Sequence, residues 1–267
     1  MITFHTYENV TCIDCKVSIG GKDSSVYLYL VDGLLIDTGA KILEDELISF
    51  YEATSFEQVV LTHGHEDHVG TAAWIERNRN VPILIHENGI VPCSKPANYR
   101  KYRQDTWGIR EPFTPQRLGD TVETGSYKWN VIYTPGHADD HVALYNEANG
   151  LLFSGDLYLI PKTKLIMHDE SIPQIIESIR RLLAYDFQSM FCSHAGYLAN
   201  GRILLTAKLE YLENLSGDIL HLYRLGLTPE EIDAKLFPNR YPIVEVSERE
   251  FDSRHIVQSV ITAALQA

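Results

Sequence analysis

The amino-acid sequence predicts an α/β fold, and three observations lead to this prediction. Between residues 26 and 86, short apolar runs bounded by turn residues alternate with stretches of helical periodicity, as expected where helices connect strands. Hydrophobic residues make up 45% of the 267 residues, which is enough for a substantial core. Charged residues make up 22%, which fits the surface of one large globular domain.

The predicted elements follow in order along the chain. Residues 26–36 predict two short strands around a turn at Asp32-Gly33. A helix over 41–53, a strand over 58–62, a helix over 70–77 and a strand over 81–86 come next. Further strands are expected over 127–133, 142–146 and 151–154, then a helix over 172–184 and a strand over 190–193.

The last part of the chain, residues 202–267, carries apolar positions at helical spacing. Within it, Thr228, Pro229 and Glu231 occupy the N-cap, first and third helical positions of a capping box. We therefore expect a main domain over residues 1–200 and a C-terminal helical extension over residues 201–267 that packs on it.

Residues 92–114 interrupt the alternating pattern. The segment is rich in cationic and aromatic side chains, namely Lys95, Tyr99, Arg100, Lys101, Tyr102, Arg103, Trp107 and Arg110. One interpretation is a lid-like insertion over a small anionic or amphipathic ligand. The other is a loop that packs its aromatic rings on a neighbouring element or on the second subunit of a homodimer. The sequence leaves both open.

Charge and hydropathy narrow the class of partner. The formal net charge of −13 disfavours a nucleic-acid binder, which gains affinity by neutralising phosphates with Lys and Arg. No apolar stretch is long enough to predict a membrane span. The first residues lack the basic start and apolar run of a secretory signal. A cytoplasmic protein acting on a small molecule is the expectation.

Four cysteines do not predict a disulfide framework in a chain of this size. Cys12 and Cys15 have the spacing of a redox or zinc motif, but no second such pair follows. The alternating pattern around them predicts a strand, which would point the two thiols to opposite faces. We therefore expect half-buried, inert thiols.

A dense cluster of metal-ligand types follows the strand predicted over 58–62. His63, His65, Asp67 and His68 lie within six residues. Imidazole nitrogen and carboxylate oxygen are ligands that zinc, iron and manganese accept. A single His-x-His has many structural explanations, whereas four such groups at one strand end predict a metal site.

Three further candidates lie at the ends of other predicted strands. His137 follows the strand over 127–133, Asp156 follows the strand over 151–154, and His194 follows the strand over 190–193. His137 and Asp156 each follow a glycine directly and His194 lies two residues before one, which allows close approach of the backbone. Since open α/β sheets place their sites at strand ends, these residues are candidate partners of the cluster.

At these residues the sequence resembles the metallo-β-lactamase superfamily, in a glyoxalase II-like or lactonase-like branch. The resemblance rests on His63-x-His65-x-Asp67-His68 followed by His137, Asp156 and His194, and covers about residues 26–196. Asp37-Thr38-Gly39 resembles the family's early Asp-x-Gly turn. The resemblance implies an αβ/βα sandwich, in which two mixed β-sheets lie face to face with helices outside.

The resemblance also implies a dinuclear centre with two divalent ions. His63, His65 and His137 would hold one ion, Asp67, His68 and His194 the other, and Asp156 would bridge them. Zinc is the expected metal, with manganese or iron as alternatives. Asp37 would support a ligating histidine from behind. A hydroxide bridging the ions would attack the substrate, with Asp67 as the catalytic residue that orients it and moves its proton.

Several neighbouring residues have less certain roles. For His141 we favour an anchoring or supporting role over direct ligation. Asp139 and Asp140 predict a solvated turn. Tyr158, two residues past Asp156, could point its hydroxyl into the cleft towards a substrate carbonyl, but a packing role is favoured because aromatic side chains dominate cores.

The substrate is the open part of the prediction, since fold and ligands do not select it. We favour a small ester, thioester or lactone. A phosphodiesterase or nuclease on the same ions is one alternative, and an iron-dependent redox or non-catalytic member is another. A true β-lactamase is disfavoured, because Asp156 stands where such enzymes commonly use Cys.

Overall fold

Two mixed β-sheets form the centre of the protein, whose computed structural model describes residues 1–19 and 22–266. The strands in chain order are β1 (Ile2–Tyr7), β2 (Val10–Ile19), β3 (Lys22–Val31), β4 (Leu34–Ile36), β5 (Gln58–Val60), β6 (Ile83–Ile85), β7 (Gln116–Arg117), β8 (Thr121–Glu123), β9 (Lys128–Tyr133), β10 (Val142–Asn146), β11 (Leu151–Gly155), β12 (Ile166–Met167), β13 (Met190–Cys192), β14 (Gly196–Leu198) and β15 (Phe251–Asp252). The first sheet has the order β1 to β7, and the second has the order β14-β13-β11-β10-β9-β8.

The helices lie outside the two sheets. They are α1 (Glu44–Ala53), α2 (Glu66–Val69), α3 (Ala72–Asn78), α4 (Glu87–Cys93), α5 (Lys101–Trp107), α6 (Ile172–Leu183), α7 (Gly201–Arg224), α8 (Pro229–Leu236), α9 (Pro242–Val246) and α10 (Ser253–Gln266). A 3-10 turn, Lys41–Leu43, precedes α1. These elements match the predicted helices and strands closely, and the predicted α/β sandwich is confirmed.

Three apolar layers hold the sandwich together. The middle layer joins the inner faces of both sheets, with Tyr29 and Ile36 from the first against Trp129 and Phe153 from the second. A second layer packs α1 and α3 on the outer face of the first sheet. A third layer packs α6, α7 and α10 on the outer face of the second sheet. Strand alternation therefore supplies an apolar side chain to each face in turn.

Cys12 and Cys15 illustrate this alternation. Cys12 points into the layer between the sheets, and Cys15 points to the helix-covered face. The expectation of opposite faces is confirmed, but the thiols are fully buried rather than half-buried. Burial raises the pKa of Cys12 to about 12, so the thiol is unreactive at neutral pH.

The sequence of α6 shows why the outer helices form where they do. Ser171 accepts a hydrogen bond from the Gln174 backbone N–H as the N-cap. Ile172, Ile175 and Ile179 then recur at helical spacing and are buried. The capping box predicted at the start of α8 is also present.

The C-terminal region packs on the second sheet but is not wholly helical. Leu205 and Ile256 share the third apolar layer with Met190 of the second sheet. In addition, β15 pairs with β12 in a small antiparallel sheet. Two-residue strands carry no readable periodicity, which is why the sequence did not indicate this pair. Within the described residues, no helix combines the length and the apolar character needed to cross a membrane.

Candidate dinuclear metal centre

Strand ends bring the predicted ligands together. His63 and His65 lie in the segment between β5 and α2, and Asp67 and His68 lie in α2 itself. The other three predicted ligands follow β9, β11 and β13. All seven are buried except His65 and His194, which are partly exposed. Residues more than 130 positions apart in sequence therefore meet at one edge of the sandwich.

The seven side chains form overlapping groups with metal-binding geometry. The ligand atoms of His63, His65 and His137 lie within 4.8 Å of one another, and so do those of Asp67, His68 and His194. In the first group, His65 Nδ1 is 3.0 Å from His63 Nε2 and 3.1 Å from His137 Nε2. In the second, Asp67 Oδ2 is 3.6 Å from His68 Nε2 and 3.3 Å from His194 Nε2.

One oxygen of Asp156 lies between the two groups. Asp156 Oδ2 is 3.3 Å from His137 Nε2, in the first group. It is 3.5 Å from His68 Nε2 and 3.2 Å from His194 Nε2, both in the second group. This is the position that a carboxylate bridging two ions would occupy.

The donor atoms fit a pair of divalent ions. A tetrahedral ion with bonds of about 2.0–2.1 Å sets its ligand atoms about 3.3 Å apart. The distances of 3.0–3.6 Å listed above scatter around that value. Moreover, His68 Nε2 and Asp156 Oδ1 are buried without a hydrogen-bond partner. Buried polar atoms normally have partners, so these two unsatisfied atoms are consistent with a bound ion at the cluster.

The outer nitrogens of the histidines are held by the protein. His68 Nδ1 donates to Asp37 Oδ2 over 2.8 Å. His63 Nδ1 lies 3.1 Å from Thr62 Oγ1, whose hydroxyl donates in turn to Asp37. Asp37 therefore supports both histidines. It sits directly after β4, at a positive φ of 61°. Such partners fix the tautomer and leave Nε2 free for an ion.

Two further supporting contacts were not predicted from the sequence. His137 Nδ1 lies 3.0 Å from Glu170 Oε2, while Glu170 Oε1 accepts the Met167 N–H. His194 Nδ1 donates to the Ser25 carbonyl over 2.8 Å. Glu170 lies 33 residues from His137 in a loop without a motif, and a backbone carbonyl has no sequence signal at all.

The electrostatics separate the histidines into two kinds. Burial, followed by the neighbouring histidines, holds the pKa of His63 well below its usual range. Burial also opposes protonation of His68, but the carboxylates of Asp156, Asp67 and Asp37 outweigh it and raise the pKa of His68. Negative charge is thus concentrated around the second group of ligands. Protons on these rings and divalent cations would compete for the same atoms.

His141 has an anchoring position, not a ligating one. Its Nε2 accepts the Asp156 N–H over 2.9 Å, and its Nδ1 is 3.0 Å from the Thr134 carbonyl oxygen. A Cβ at Gly155, where φ is 52°, would collide with this ring. Burial lowers the pKa of His141 to about 3, which keeps the ring neutral and able to accept. The contact fixes the turn that presents Asp156.

The neighbouring candidates divide between surface and core. Asp139 is exposed, as expected of a turn residue. Asp140 is buried against Gly64 and Gly89, so the expectation of a solvated side chain was wrong for this residue. Two glycines make room for its carboxylate, and single-residue patterns do not reveal such room. Tyr158 is buried in the layer around α6 and α7, in a packing position.

A cleft of about 410 Å³ opens onto the ligands. His65, Asp67, His137, Asp156 and His194 border it on one side. The other sides are largely apolar and come from α5, the segment between β11 and α6, and β15, with Trp107, Leu157, Leu159, Ile160, Ile166, Met167 and Phe251 among the lining residues. The cleft thus has the candidate metal ligands on one side and mainly apolar walls on the others.

Three residues of the segment 92–114 line this cleft, namely Tyr102, Arg103 and Trp107, and the arginines of the segment are paired within the protein. Arg103 binds both oxygens of Glu66 at 2.6 Å and also contacts Glu250 at 3.1 Å. Arg110 donates to the backbone carbonyls of Pro92, Cys93 and Lys95. Arg103 and Arg110 therefore hold the segment in place. Because their guanidinium groups already have these partners, they are not free to bind an anion. The Glu66–Arg103 pair was not predicted from the sequence, because the partners are 37 residues apart.

A sandwich of two mixed sheets with a His/Asp cluster at one edge defines the class of protein: an α/β sandwich whose edge carries side chains that could hold metal ions. The chain belongs to the metallo-beta-lactamase superfamily, whose family model matches residues 21–194. This agrees with the resemblance found in the sequence.

Relatives and solved structures are consistent with this assignment. The probable metallo-hydrolase YqjP of Bacillus subtilis (strain 168) is 24% identical over 283 residues, covering 88% of this chain and 87% of the relative. A hydroxyacylglutathione hydrolase of Rhodopseudomonas palustris (strain BisB18) is 27% identical over 181 residues, covering 66% of this chain and 64% of the relative. The structure of a beta-lactamase domain protein from Burkholderia ambifaria covers 98% of this chain and is covered to 89%, with a TM-score of 0.72 and 18% identity.

Proposed function

We propose that this protein is a dinuclear metal-dependent hydrolase that cleaves a small ester, thioester or lactone. The observation that carries the proposal is the position of Asp156 Oδ2, within 3.5 Å of histidine nitrogens from both groups of ligands. A carboxylate in that place suits two ions rather than one. Zinc is the proposed metal, because nitrogen and oxygen donors at tetrahedral spacing suit it.

The chain's own residues would divide the work as follows. Two bound divalent cations would supply Lewis acidity and lower the pKa of a water between them towards neutrality. Asp67, which borders the cleft, would orient that water and take its proton. Asp37 and Glu170 would hold His68 and His137 in their ligating orientations. No nucleophilic side chain is needed.

The shape of the cleft supports a small acyl substrate. Its walls away from the ligands are mainly apolar, which suits the alkyl part of an ester or thioester. A relative named as a hydroxyacylglutathione hydrolase acts on an acyl compound, which agrees with this choice. Arg103, the arginine at the cleft, is already bound to two glutamates, which disfavours a phosphodiester.

A hydrolysis panel tests the proposal. Thioesters, lactones and phosphodiesters are offered to the wild-type protein, to Asp67→Ala and to Asp139→Ala, a matched control whose exposed carboxylate lies near the site. We expect carbonyl substrates to be preferred. Asp67→Ala should lower kcat/KM by roughly 10²–10⁴-fold, the usual range for a general base. Asp139→Ala should stay within a factor of two or so of wild type.

Metal analysis of protein purified without added metal separates the alternatives. About two zinc ions per chain would support the proposal, whereas iron would favour the redox alternative. One ion or none after gentle purification would contradict the dinuclear centre. Equal activity of wild type and Asp67→Ala on the best substrate would contradict the role of Asp67. A clear preference for phosphodiesters would favour the phosphodiesterase alternative instead.

A further inference from the structure

Lys208 is a buried lysine whose side chain borders the cleft. It lies on α7, is only 3% exposed and is one of the cleft's lining residues. Its ammonium group donates one hydrogen bond, to the backbone carbonyl of Tyr158, and lies 5.7 Å from the centre of the Tyr158 ring. An ammonium group has three donors, so two remain for another partner.

No carboxylate neutralises Lys208 within the described residues. The acidic side chains that line the cleft are bound elsewhere: Glu66 to Arg103, and Glu170 to His137 and the Met167 backbone. Asp67 and Asp156 lie among the ligating histidines. Arg103, the other cation lining the cleft, contrasts with Lys208 because it pairs with two glutamates. Of the two Lys and Arg side chains that line the cleft, Lys208 is the one that has no carboxylate partner among the described residues.

A buried cation without a counter-ion lowers stability, so its presence calls for a compensating role. Burial lowers the pKa of Lys208 to about 8, which still leaves most of the group protonated at pH 7. A leucine or methionine at this position would pack in the same apolar layer at lower cost. Packing alone therefore does not account for a lysine at this position, whereas a role for its positive charge would.

Lys208 also lies close to the ligands. Its hydrogen-bond acceptor belongs to Tyr158, two residues after Asp156. Two residues of extended chain span at most about 7 Å between their Cα atoms. An anion held by Lys208 would therefore sit a few methylene groups away from the atoms that hold the ions. Leu157, Ile166 and Met167 line the same cleft and would surround those methylene groups.

We propose that Lys208 binds a carboxylate at the far end of the acyl group, so that the substrates are esters or thioesters of short dicarboxylic acids. This inference rests on the proposed hydrolase function and names its substrate class. A carboxylate suits the geometry better than a phosphate, because one ammonium with two spare donors satisfies a carboxylate, whereas a phosphate dianion calls for more donors.

Ligand binding tests the inference without any turnover. The zinc-loaded protein is titrated with succinate, glutarate and adipate, and with monocarboxylates of the same chain lengths, by calorimetry or by tryptophan fluorescence, to which Trp107 at the cleft contributes. Both members of each pair offer a carboxylate to the ions, so the difference reports on the second carboxylate. A charge-assisted hydrogen bond contributes about 1.5–3 kcal/mol, which corresponds to a preference of roughly tenfold or more.

Three variants assign that preference to one residue. In Lys208→Met the preference for the dicarboxylate should disappear, and in Lys208→Arg it should persist in part. Lys162→Met, which removes an exposed lysine near the cleft, should keep the wild-type preference. The ratio of kcat/KM for a succinyl thioester to that for a butyryl thioester should fall in parallel in Lys208→Met.

Thermal unfolding separates a binding role from a structural one. Because Lys208→Met removes a buried unpaired charge, its Tm should equal or exceed that of wild type. A lower Tm, with equal losses for both ligands of a pair, would overturn the inference. So would equal affinity of wild type for the two ligands. Dicarboxylate preference without any ester hydrolysis would instead retain the carboxylate site and contradict the proposed hydrolase function.

Discussion

The two sides of the cleft are built in different ways. The metal side consists of short loops at strand ends and the short helix α2, and His68 and His137 each have an outer nitrogen held by a carboxylate. The opposite side consists of α5, the segment between β11 and α6, and α7, and it is mainly apolar. Its polar contacts are few but buried, chiefly Arg103 with its two glutamates and Lys208 with a carbonyl.

This difference suggests separate tasks for the two sides, namely the reaction on one and the choice of substrate on the other. The metal side repeats one device, a ligand presented by a strand end and supported from behind, which suits a fixed reaction. The opposite side is assembled from distant segments, so its shape and charge can change without disturbing the ligands. Under the proposed function, the reaction depends on the first side and the choice of substrate on the second. Variants on each side should show this division.

The largest effect is expected from Arg103→Met, on the apolar side. The change leaves the buried Glu66 without its arginine partner and leaves Glu250 with Arg100 alone, at 3.6 Å. Removing one partner of a buried ion pair typically costs about 3–5 kcal/mol, so we expect a loss of at least about 3 kcal/mol in the free energy of unfolding. Denaturant titration measures it. Lys101→Met, which breaks the exposed pair with Asp105, is the control and should cost less than about 1 kcal/mol.

This comparison also tests how the segment 92–114 is held. If Arg103→Met were as stable as Lys101→Met, the buried pair would not be what fixes the segment over the cleft. If Arg103→Met unfolds too readily to measure, Arg103→Lys keeps the charge but loses the two-point contact, and an intermediate loss is expected.

A smaller effect is expected from Glu170→Gln, on the metal side. The amide can no longer hold the His137 N–H as a charged acceptor. Loss of such a supporting contact typically lowers metal affinity or activity by about 10–100-fold. Competition with a zinc chelator measures the affinity. Glu177→Gln, an exposed residue of α6, is the control. Equal affinities of the two variants would show that Glu170 does not support the centre.

The smallest effect is expected at Asp140, behind the histidine loop. Burial raises the pKa of Asp140 from 3.8 to about 6, so between these values the folded protein keeps a proton that the unfolded chain releases. The contribution of this carboxyl to stability is present at lower pH and is lost as pH rises through 6. Asp140→Asn should therefore gain stability relative to wild type between pH 4 and pH 7, by on the order of 1 kcal/mol.

Urea titrations across this pH range measure the difference between Asp140→Asn and wild type. The difference cancels the titration of the ligating histidines, which both proteins share. Asp139→Asn, at the exposed neighbour, should show no such trend. A constant difference between Asp140→Asn and wild type at all pH values would contradict the role of burial.

The residue patterns of the sequence predicted an α/β class and the list of candidate ligands, and the family resemblance implied the sandwich. Apolar runs of period two or 3.6 are local signals, so most strands and helices could be located from them. The His63–His68 loop was recognisable for the same reason, since four ligand types lie side by side in the chain. The later candidates His137, Asp156 and His194 stood out because each follows a predicted strand and lies within two residues of a glycine.

Only the tertiary structure decided what surrounds those ligands. Glu170 behind His137, Glu66 with Arg103 and the buried Lys208 depend on contacts between segments far apart in the chain. Local periodicity does not predict such contacts, because they form only where distant segments pack together in the folded chain. Burial also reversed the expectation for Asp140, which two glycines admit to the interior. The family and the candidate ligands could thus be predicted from the chain, whereas the surroundings of the cleft depend on how the chain packs.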